Sequence, residues 1–404
     1  MSRTPTLPRR RTLVVGTGGI AGAHAAAVAA HAGRADVVCG VDLDPARAEA
    51  FAVQHGLAGW STDLAAALQG TWTASTTGTD DAPSTPVDPR PDLAHICTPP
   101  GSHVPLAVQC LEAGVPVLLE KPPALSLAEV DELLAVSQRT GVDVAVVFQH
   151  RFGSGALRAR ALLEAAGTRG LGEEPGVPTG IGRPLVATCH TLWYRDADYF
   201  AVPWRGRWEI EGGGPTMGHG IHQFDLLLAL LGPWAEVTAM AGRQARDTAT
   251  EDVSMAVVRF AGGALATVVN SVVSPRQTSS LRIDTERATL EVEHLYGYGD
   301  EDWTFTPAPG HEDLAALWIT DPAAPRSSHS SQVGALLDAM DDDAPLPVTL
   351  AEARDTLELV AAIYASAFTG QVVRRGDIGP GHPFYPRMDG TGAPWAAPTE
   401  EDHA

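Results

Sequence analysis

The segment that most constrains the fold is a glycine-rich turn between a short apolar strand and an alanine-rich helix. Residues 12–16 (TLVVG) predict a buried strand, and a helical segment follows to about Ala32. Between them the chain reads Gly16-Thr17-Gly18-Gly19-Ile20-Ala21, which is a GxGxxA pattern. A second apolar strand, Val37–Val41, comes next. Strand, helix and strand in this order predict a right-handed parallel βαβ unit.

The glycines of this turn suit the binding of a dinucleotide. Gly16 permits a tight turn, and Gly18 has no side chain, so that the backbone can approach a pyrophosphate. The helix start behind them offers unpaired amide groups and a positive dipole end to an anion. Because the pattern follows a strand and opens a helix, we predict that four residues of the turn bind the cofactor: Gly16, Gly18, Gly19 and Ile20.

An acidic residue supports the same interpretation. Asp42 ends the second strand, 26 residues after Gly16. A carboxylate at this point can accept hydrogen bonds from ribose hydroxyls and repels a 2′-phosphate, which favours NAD over NADP. The alternative is a solvated acid at the end of a strand. Asp44 and Pro45 then predict the start of the next helix, as N-cap and first helical residue.

Composition excludes several classes of function. The 404 residues suit two or three domains, and 44% of them are hydrophobic, so a sizeable core is available. Acidic residues number 49 against 28 basic ones, and the net charge of −21 argues against nucleic-acid and membrane-surface partners. No apolar run reaches the roughly 18 residues of a membrane span. Arg9–Arg11 predict a solvated basic leader rather than a twin-arginine signal, because the glycine turn follows directly.

The four cysteines indicate a reducing compartment. They are scattered and form no CxxC pair: Cys39, Cys97, Cys110 and Cys189. Free buried thiols in the cytoplasm explain them better than disulfides or a zinc site, and no metal is predicted.

Alternation of strands and helices continues to Phe148, interrupted by a Thr/Pro/Asp-rich insertion at 70–91. We therefore predict a dinucleotide-binding domain at 1–148. Closely spaced strand patterns after it, with no helices between them, predict an antiparallel sheet in a second domain at 149–380, with a tail at 381–404. The predicted fold class is α/β: a Rossmann parallel sheet followed by an α/β domain with a large, mostly antiparallel open-faced sheet.

Four further segments resemble the motifs of a known protein family. They are Thr98-Pro99-Pro100 with His103, Glu120-Lys121-Pro122, Arg151-Phe152, and a glycine run at 212–214 followed by HGIHQFD at 219–225. Together with the glycine turn, they resemble the glucose–fructose oxidoreductase/inositol dehydrogenase (Gfo/Idh/MocA) family over roughly residues 10–375. The resemblance implies an NAD(P)-dependent oxidoreductase, a small-molecule substrate, and homodimers or homotetramers that pair through the second sheet.

The resemblance also implies site residues. Lys121 matches a catalytic lysine and His222 a general acid/base histidine. Thr98, Pro99, His103, Glu120 and Lys121 match residues that line the cofactor. Read without the family, Lys121 is as well explained as a surface lysine in a turn, and His222 as a helix-start histidine bonded to a backbone carbonyl.

This chain departs from the family pattern at two positions near His222 and Arg151. Gly218 stands where many relatives carry an aspartate, and His150 where asparagine is common. Asp225 does not replace the missing carboxylate and is predicted to be a structural helix residue. Arg151 either orients an anion or pairs within the protein.

Three functions follow from these patterns. The leading one is hydride transfer between nicotinamide and a secondary alcohol of a sugar, polyol or related compound. The second keeps the cofactor but makes the net reaction non-redox, as in a glycosidase or epimerase that uses transient oxidation. The third is a non-catalytic nicotinamide-binding sensor.

Overall fold

The computed structural model describes residues 9–75, 90–167 and 180–396, and the chain divides into two compact units. The first unit comprises the chain up to Ala124, Val130–Val147 and His329–Glu352. The second comprises Leu125–Glu129, Phe148–Ser328 and the chain from Ala353 onward.

A seven-stranded sheet forms the centre of the first unit. Its strands are β1 (Arg10–Val15), β2 (Ala35–Val41), β3 (Gly59–Ser61), β4 (Thr73–Ala74), β5 (Leu93–Ile96), β6 (Val117–Leu119) and β7 (Val144–Val146). They lie in the order β4-β3-β2-β1-β5-β6-β7, and every pair except β3–β4 is parallel. Strands β5, β6 and β7 are buried along their whole length, as expected where helices cover both faces. The predicted Rossmann sheet is confirmed.

Six α-helices of the described residues belong wholly or mainly to this unit. Numbered in chain order, they are α1 (Ala21–Ala29), α2 (Pro45–His55), α3 (Leu64–Leu68), α4 (His103–Glu112), α5 (Leu127–Thr140) and α10 (His329–Asp341). Helix α2 begins as predicted, because an Asp44 carboxylate oxygen accepts a hydrogen bond from the Ala46 amide at 2.9 Å and Pro45 follows the cap.

Helix α10 returns from the far end of the chain to the first unit. Its Val333, Leu336 and Leu337 are buried in one apolar cluster with Val28 of α1 and Leu118 of β6. The sequence patterns predicted that all of 149–380 belongs to the second domain, whereas residues 329–352 belong to the first unit. Local periodicity cannot indicate which distant surface an apolar helix face covers, and this is why the return of 329–352 was missed.

An eight-stranded sheet forms the second unit. Its strands are β8 (Pro184–Tyr194), β9 (Trp234–Gly242), β10 (Val253–Phe260), β11 (Leu265–Ser271), β12 (Val273–Thr285), β13 (Ala288–His294), β14 (Trp303–Pro307) and β15 (Val373–Arg374). The order is β14-β13-β12-β8-β11-β10-β9-β15, and only β8–β11 is parallel among these pairs. Burial alternates along β10, so one face is covered and the other is open, which confirms the predicted mostly antiparallel sheet.

The remaining helices are α6 (Ser154–Gly167), α7 (Ala197–Phe200), α8 (Trp208–Glu211), α9 (Ile221–Leu231) and α11 (Leu350–Thr369). None of the helices in the described ranges has the length and apolarity needed to cross a bilayer. Of the predicted insertion at 70–91, residues 73–74 form β4, and 76–89 lie outside the described residues. Of the predicted tail, 381–396 is described, with Phe384 and Met388 buried in the second unit, and the rest lies outside that range.

Candidate active site

The glycine turn of the first unit joins the end of β1 to helix α1. Gly16 has a φ of +84°, and a Cβ on it would lie 2.6 Å from the Thr98 Cγ2 atom, so only glycine fits here. A Cβ on Gly18 or Gly19 would meet no described atom within 4 Å. The open space in front of these two glycines, at the start of a helix, fits the pyrophosphate of a dinucleotide.

Asp42 lies beside this turn with its carboxylate already oriented. One carboxylate oxygen accepts hydrogen bonds from the Thr17 amide and hydroxyl, both at 2.9 Å, and the other accepts from the Asp44 amide at 3.0 Å. Partial burial opposes the charge, but the hydrogen bonds from Asp44 and Thr17 outweigh it and lower the pKa of Asp42. An ionised, fixed acceptor at the end of β2 suits the ribose hydroxyls of NAD.

Thr98 and Pro99 follow β5 on the side of the glycine turn, and His103 lies beneath them. The His103 ring is buried, with Nε2 at 2.8 Å from the Thr98 carbonyl oxygen and Nδ1 at 2.9 Å from the Pro122 carbonyl oxygen. Burial lowers the pKa of His103, so the neutral ring donates to one carbonyl at a time. His103 thus ties the loop after β5 to the segment that follows Lys121.

Lys121 comes two residues after the end of β6, at the carboxyl edge of the parallel sheet. Its side chain is half-buried, its amide donates to a Glu120 carboxylate oxygen at 3.0 Å, and the Lys121–Pro122 peptide bond is cis. Lys121 is also the only lysine in the chain, since all other basic residues are arginine. In open α/β sheets this edge is the one at which ligands bind.

Glu120 is held by histidines from two helices of the same unit. One carboxylate oxygen lies 2.9 Å from His24 Nε2 and 3.2 Å from His329 Nε2, while His24 Nδ1 faces His95 Nδ1 at 2.9 Å. Burial opposes the charge on Glu120, but the two histidine hydrogen bonds hold its pKa well below the usual range. These contacts make Glu120 a residue that positions the Lys121 backbone.

Glu120 and the two histidines that contact it could also bind a metal ion. The ligand atoms of His24, Glu120 and His329 lie within 4.8 Å of one another. Two imidazoles and a carboxylate are ligands that zinc accepts. The same atoms are satisfied as hydrogen bonds without an ion, and therefore the geometry does not require a metal. Sequence patterns could not find this group, because its members come from three distant segments.

The glycine run at 212–214 in the second unit is tightly packed, although three consecutive glycines suggest a flexible segment. A Cβ on Gly214 would lie 2.0 Å from the Glu251 carbonyl oxygen. The buried Glu251 carboxyl accepts hydrogen bonds from the Gly214 amide at 3.0 Å, the Thr216 amide at 3.1 Å and the Tyr364 hydroxyl at 2.8 Å. Burial raises the pKa of Glu251 in spite of these bonds. Glu251 was not identified from the sequence.

The run leads into a π-helical segment, Thr216–Gly220, and then directly into α9. Such π-helical insertions occur frequently at functional sites. His222 lies in the first turn of α9, is buried, and packs against three rings: Phe148 at 5.9 Å, His150 at 5.2 Å and Tyr296 at 5.8 Å between centroids. Gly218 lies in the π-helical segment, and a Cβ there would meet no described atom within 4 Å, so packing does not require glycine.

The structure decides between the two roles left open for Arg151. Its guanidinium forms a two-pronged ion pair with the fully buried Asp225, with Nε 2.6 Å from a carboxylate oxygen. Thr356 also donates to Asp225, at 3.3 Å. Arg151 therefore pairs within the protein, and Asp225 is the structural helix residue that the sequence predicted.

Comparison with known proteins agrees with this arrangement. Residues 10–148 match the family model for the oxidoreductase family with an NAD-binding Rossmann fold, and residues 179–291 match the Gfo/Idh/MocA C-terminal domain. The fold and the glycine turn with Asp42 define an NAD-binding oxidoreductase. The chain belongs to the Gfo/Idh/MocA family, as its motifs predicted.

Relatives of known activity cover most of the chain. The D-glucoside 3-dehydrogenase of Escherichia coli is 27% identical over 308 residues, covering 70% of this chain and 78% of that protein. The scyllo-inositol 2-dehydrogenase (NAD(+)) of Bacillus subtilis is 28% identical, covering 66% of this chain and 68% of that protein. The structure of the WlbA dehydrogenase of Bordetella pertussis, in complex with NADH and UDP-GlcNAcA, has a TM-score of 0.73 at 24% identity and covers 91% of this chain and 99% of that one.

Proposed function

We propose that this oxidoreductase transfers hydride between NAD and a secondary alcohol of a sugar or cyclitol. The observation that carries the proposal is the position of Lys121. The only lysine of the chain lies at the same edge of the parallel sheet as the glycine turn, after a strand next but one to β1. The relatives named as glucoside and inositol dehydrogenases support this substrate class.

The chemistry of Lys121 suits a reacting hydroxyl. Everywhere else this chain uses arginine as its basic residue, but a guanidinium does not release its proton in proteins. An ammonium can donate to the substrate oxygen, stabilise the developing alkoxide and exchange its proton. We assign Lys121 this role, with its backbone positioned by Glu120 through the 3.0 Å hydrogen bond.

For His222 of the second unit we propose the role of general acid/base that the family resemblance implies. An imidazole nitrogen can accept the hydroxyl proton as a general base. Its buried ring is oriented by Phe148, His150 and Tyr296, which limits its rotation. NAD bound at Gly16, Gly18, Gly19, Ile20 and Asp42, with Thr98, Pro99 and His103 near its nicotinamide end, would accept the hydride.

A substrate screen tests this function. Purified protein is incubated with NAD and a panel of inositols and glucosides, and NADH is followed by its absorbance. We expect stoichiometric NADH with at least one of them. The Gly18→Ala variant is the cofactor control: its added Cβ meets no described atom of the fold, so the protein should stay folded while NAD binding weakens about tenfold or more.

Two outcomes of the screen contradict the proposal. Product that forms without NADH, from protein that copurifies with NAD, would favour the non-redox alternative. Full NAD affinity in the Gly18→Ala variant would place the cofactor elsewhere.

The open face of the second sheet supports a homo-oligomer. Five apolar side chains are exposed on this face of four neighbouring strands: Val186, Met240, Met255, Val257 and Leu265. Exposed apolar side chains gathered on one sheet face in this way indicate a protein interface. Light scattering should therefore give two or four times the chain mass.

A lysine at the centre of this patch should break the interface. Val257→Lys is expected to shift the protein toward the monomer, because a charge would be buried without a partner. Val53→Lys, at an exposed position of α2 in the first unit, is the matched control and should leave the mass unchanged. An unchanged mass in the Val257→Lys variant would exclude this face as the interface.

We further propose a cytoplasmic location. All four cysteines are free and buried, and burial raises the pKa of Cys39 and Cys189 to about 12, which keeps them as thiols. Such thiols suit a reducing compartment.

A further inference from the structure

A stack of alternating aromatic and guanidinium groups runs along one edge of the second unit. We name it the Arg195 stack, and its members in spatial order are Trp193, Arg195, Tyr199, Arg205 and Trp204. The Arg195 Cζ atom lies 4.8 Å from the Trp193 ring centroid and 5.2 Å from that of Tyr199. The Arg205 Cζ atom lies 4.2 Å from Tyr199 and 3.9 Å from Trp204. The stack holds two cations between rings.

The inner end of this stack reaches the surroundings of His222. Trp193 is on the face of β8 that carries the buried residues, and its indole lies 5.0 Å from the His219 ring and 6.4 Å from the Tyr296 ring. Tyr296 in turn lies 5.8 Å from His222. The outer end, Trp204, is 42% exposed. A continuous surface of rings therefore leads from the proposed general base toward solvent.

The two arginines of the stack differ in their partners. Arg205 forms an ion pair with Glu211 at 3.1 Å. The Arg195 guanidinium contacts neutral oxygens of the described residues: the Tyr194 carbonyl at 2.9 Å, the Gln277 side chain at 3.4 Å and the Tyr199 hydroxyl. Its Nε is buried and has no hydrogen-bond partner in the described ranges.

Several other arginines of the same unit face carboxylates, as Arg158 faces Asp300. Arg246 resembles Arg195 instead, since its Cζ atom lies over the Tyr194 ring at 5.2 Å. The nearest acid in sequence, Asp196, uses a carboxylate oxygen to cap the Tyr199 amide at 3.0 Å. Arg195 is thus a positioned cation for which the described residues supply no counter-ion.

We propose that the Arg195 stack binds an anionic group of the substrate, so that the substrate class is an anionic sugar derivative, a uronate or a sugar phosphate ester. The inference rests on the proposed function, because it places this group next to the His222 end of the stack. A guanidinium held between rings can still donate a charge-assisted hydrogen bond to a carboxylate or a phosphate. The rings of Trp193 and Tyr199 can in addition stack on a sugar or base face.

Calorimetry with the NAD-loaded protein tests this subsite. The probes are glucuronate, glucose 1-phosphate and UDP-glucuronate, with methyl glucoside as the neutral reference. We expect at least one anionic probe to bind about tenfold or more tightly than methyl glucoside, and its affinity to fall as salt is raised. Comparison among the three probes separates a carboxylate from a phosphate as the bound group.

Substitutions of Arg195 test whether the Arg195 stack causes the tighter binding of the anionic probes. Arg195→Gln should weaken the anionic probe about tenfold and leave methyl glucoside unchanged, because only a charge-assisted contact is removed. Arg195→Lys keeps the charge and should lose less. Arg183→Gln is the matched control: it removes an exposed arginine of the same unit, paired with Glu286, and should change neither affinity. Circular dichroism checks that each variant is folded.

Two results would contradict the subsite: equal affinity for anionic and neutral probes, or an unchanged anionic affinity in folded Arg195→Gln. The Arg195 stack would then only stabilise its own loop. These results are separable from failure of the proposed function. If neutral sugars are oxidised with NADH formation and Arg195→Gln changes nothing, only the subsite is wrong. If no sugar of either kind yields NADH, the proposed function itself fails.

Discussion

Lys121→Ala should lower kcat for the alcohol substrate by about 10²–10⁴-fold, the range found when a group that stabilises or moves charge at the reacting atom is removed. The expected loss is in turnover, because the glycine turn and Asp42, which carry most of the proposed NAD contacts, are unchanged. Steady-state kinetics give kcat and KM, and calorimetry gives the NAD affinity, which should fall far less than turnover.

Because the chain contains a single lysine, chemical modification can also test this prediction. Since Lys121 is the only lysine, reductive methylation can modify no other side-chain amine, and we expect it to inactivate the enzyme unless NAD and substrate protect it. Small primary amines added to Lys121→Ala should restore part of the turnover. Arg139→Ala removes an exposed cation of the same unit, paired with the exposed Glu112, and serves as the control. Full turnover of Lys121→Ala on an identified substrate would eliminate the mechanism.

Gly214→Ala should destabilise the second unit by about 3 kcal/mol or more. The added Cβ would lie 2.0 Å from the Glu251 carbonyl oxygen, so the glycine run must move. That movement would lengthen the hydrogen bonds from the Gly214 and Thr216 amides to the buried Glu251 carboxyl. Overpacking costs roughly 1–3 kcal/mol, and each buried acceptor left unpaired adds a similar amount. The midpoints of thermal and urea unfolding measure the change.

The neighbouring Gly218 provides the matched control. Its added Cβ would meet no described atom within 4 Å, and alanine is the better helix former, so Gly218→Ala should leave stability within about 1 kcal/mol of the original or raise it. Equal stability of the Gly214→Ala variant and the original protein would mean that the glycine run is as flexible as its sequence suggested.

Comparison of the sequence patterns with the observed elements indicates what local patterns can predict. Apolar periodicity in the sequence predicts helices at Leu127–Thr140 and Ile221–Leu231, and α5 and α9 have these bounds. The cap of α2 at Asp44 follows from residues adjacent in the chain. By contrast, β9 was not predicted, although it pairs with β10 over its length, because its pattern alone is short and interrupted by alanines.

The proposed site residues divide in a similar way. The motifs at Gly16, Asp42, Lys121 and His222 could be named from the sequence and a family resemblance. The contacts that orient them could not, since His24 and His329 meet Glu120 from segments 96 and 209 residues away. The sequence likewise could not show whether Arg151 orients an anion or pairs within the protein, because its partner was not known.

The sequence by itself determined the dinucleotide turn, the order of strands and helices in the first 148 residues apart from β3, α3 and β4, and the position of the single lysine. These depend on residues that are neighbours along the chain, where steric and hydrogen-bonding preferences act directly. Only the tertiary structure decided that Arg151 is neutralised by Asp225 while Arg195 is held between rings without a described acid. Whether a buried or half-buried charge is paired depends on which distant segments pack around it, and that information exists only in the folded chain.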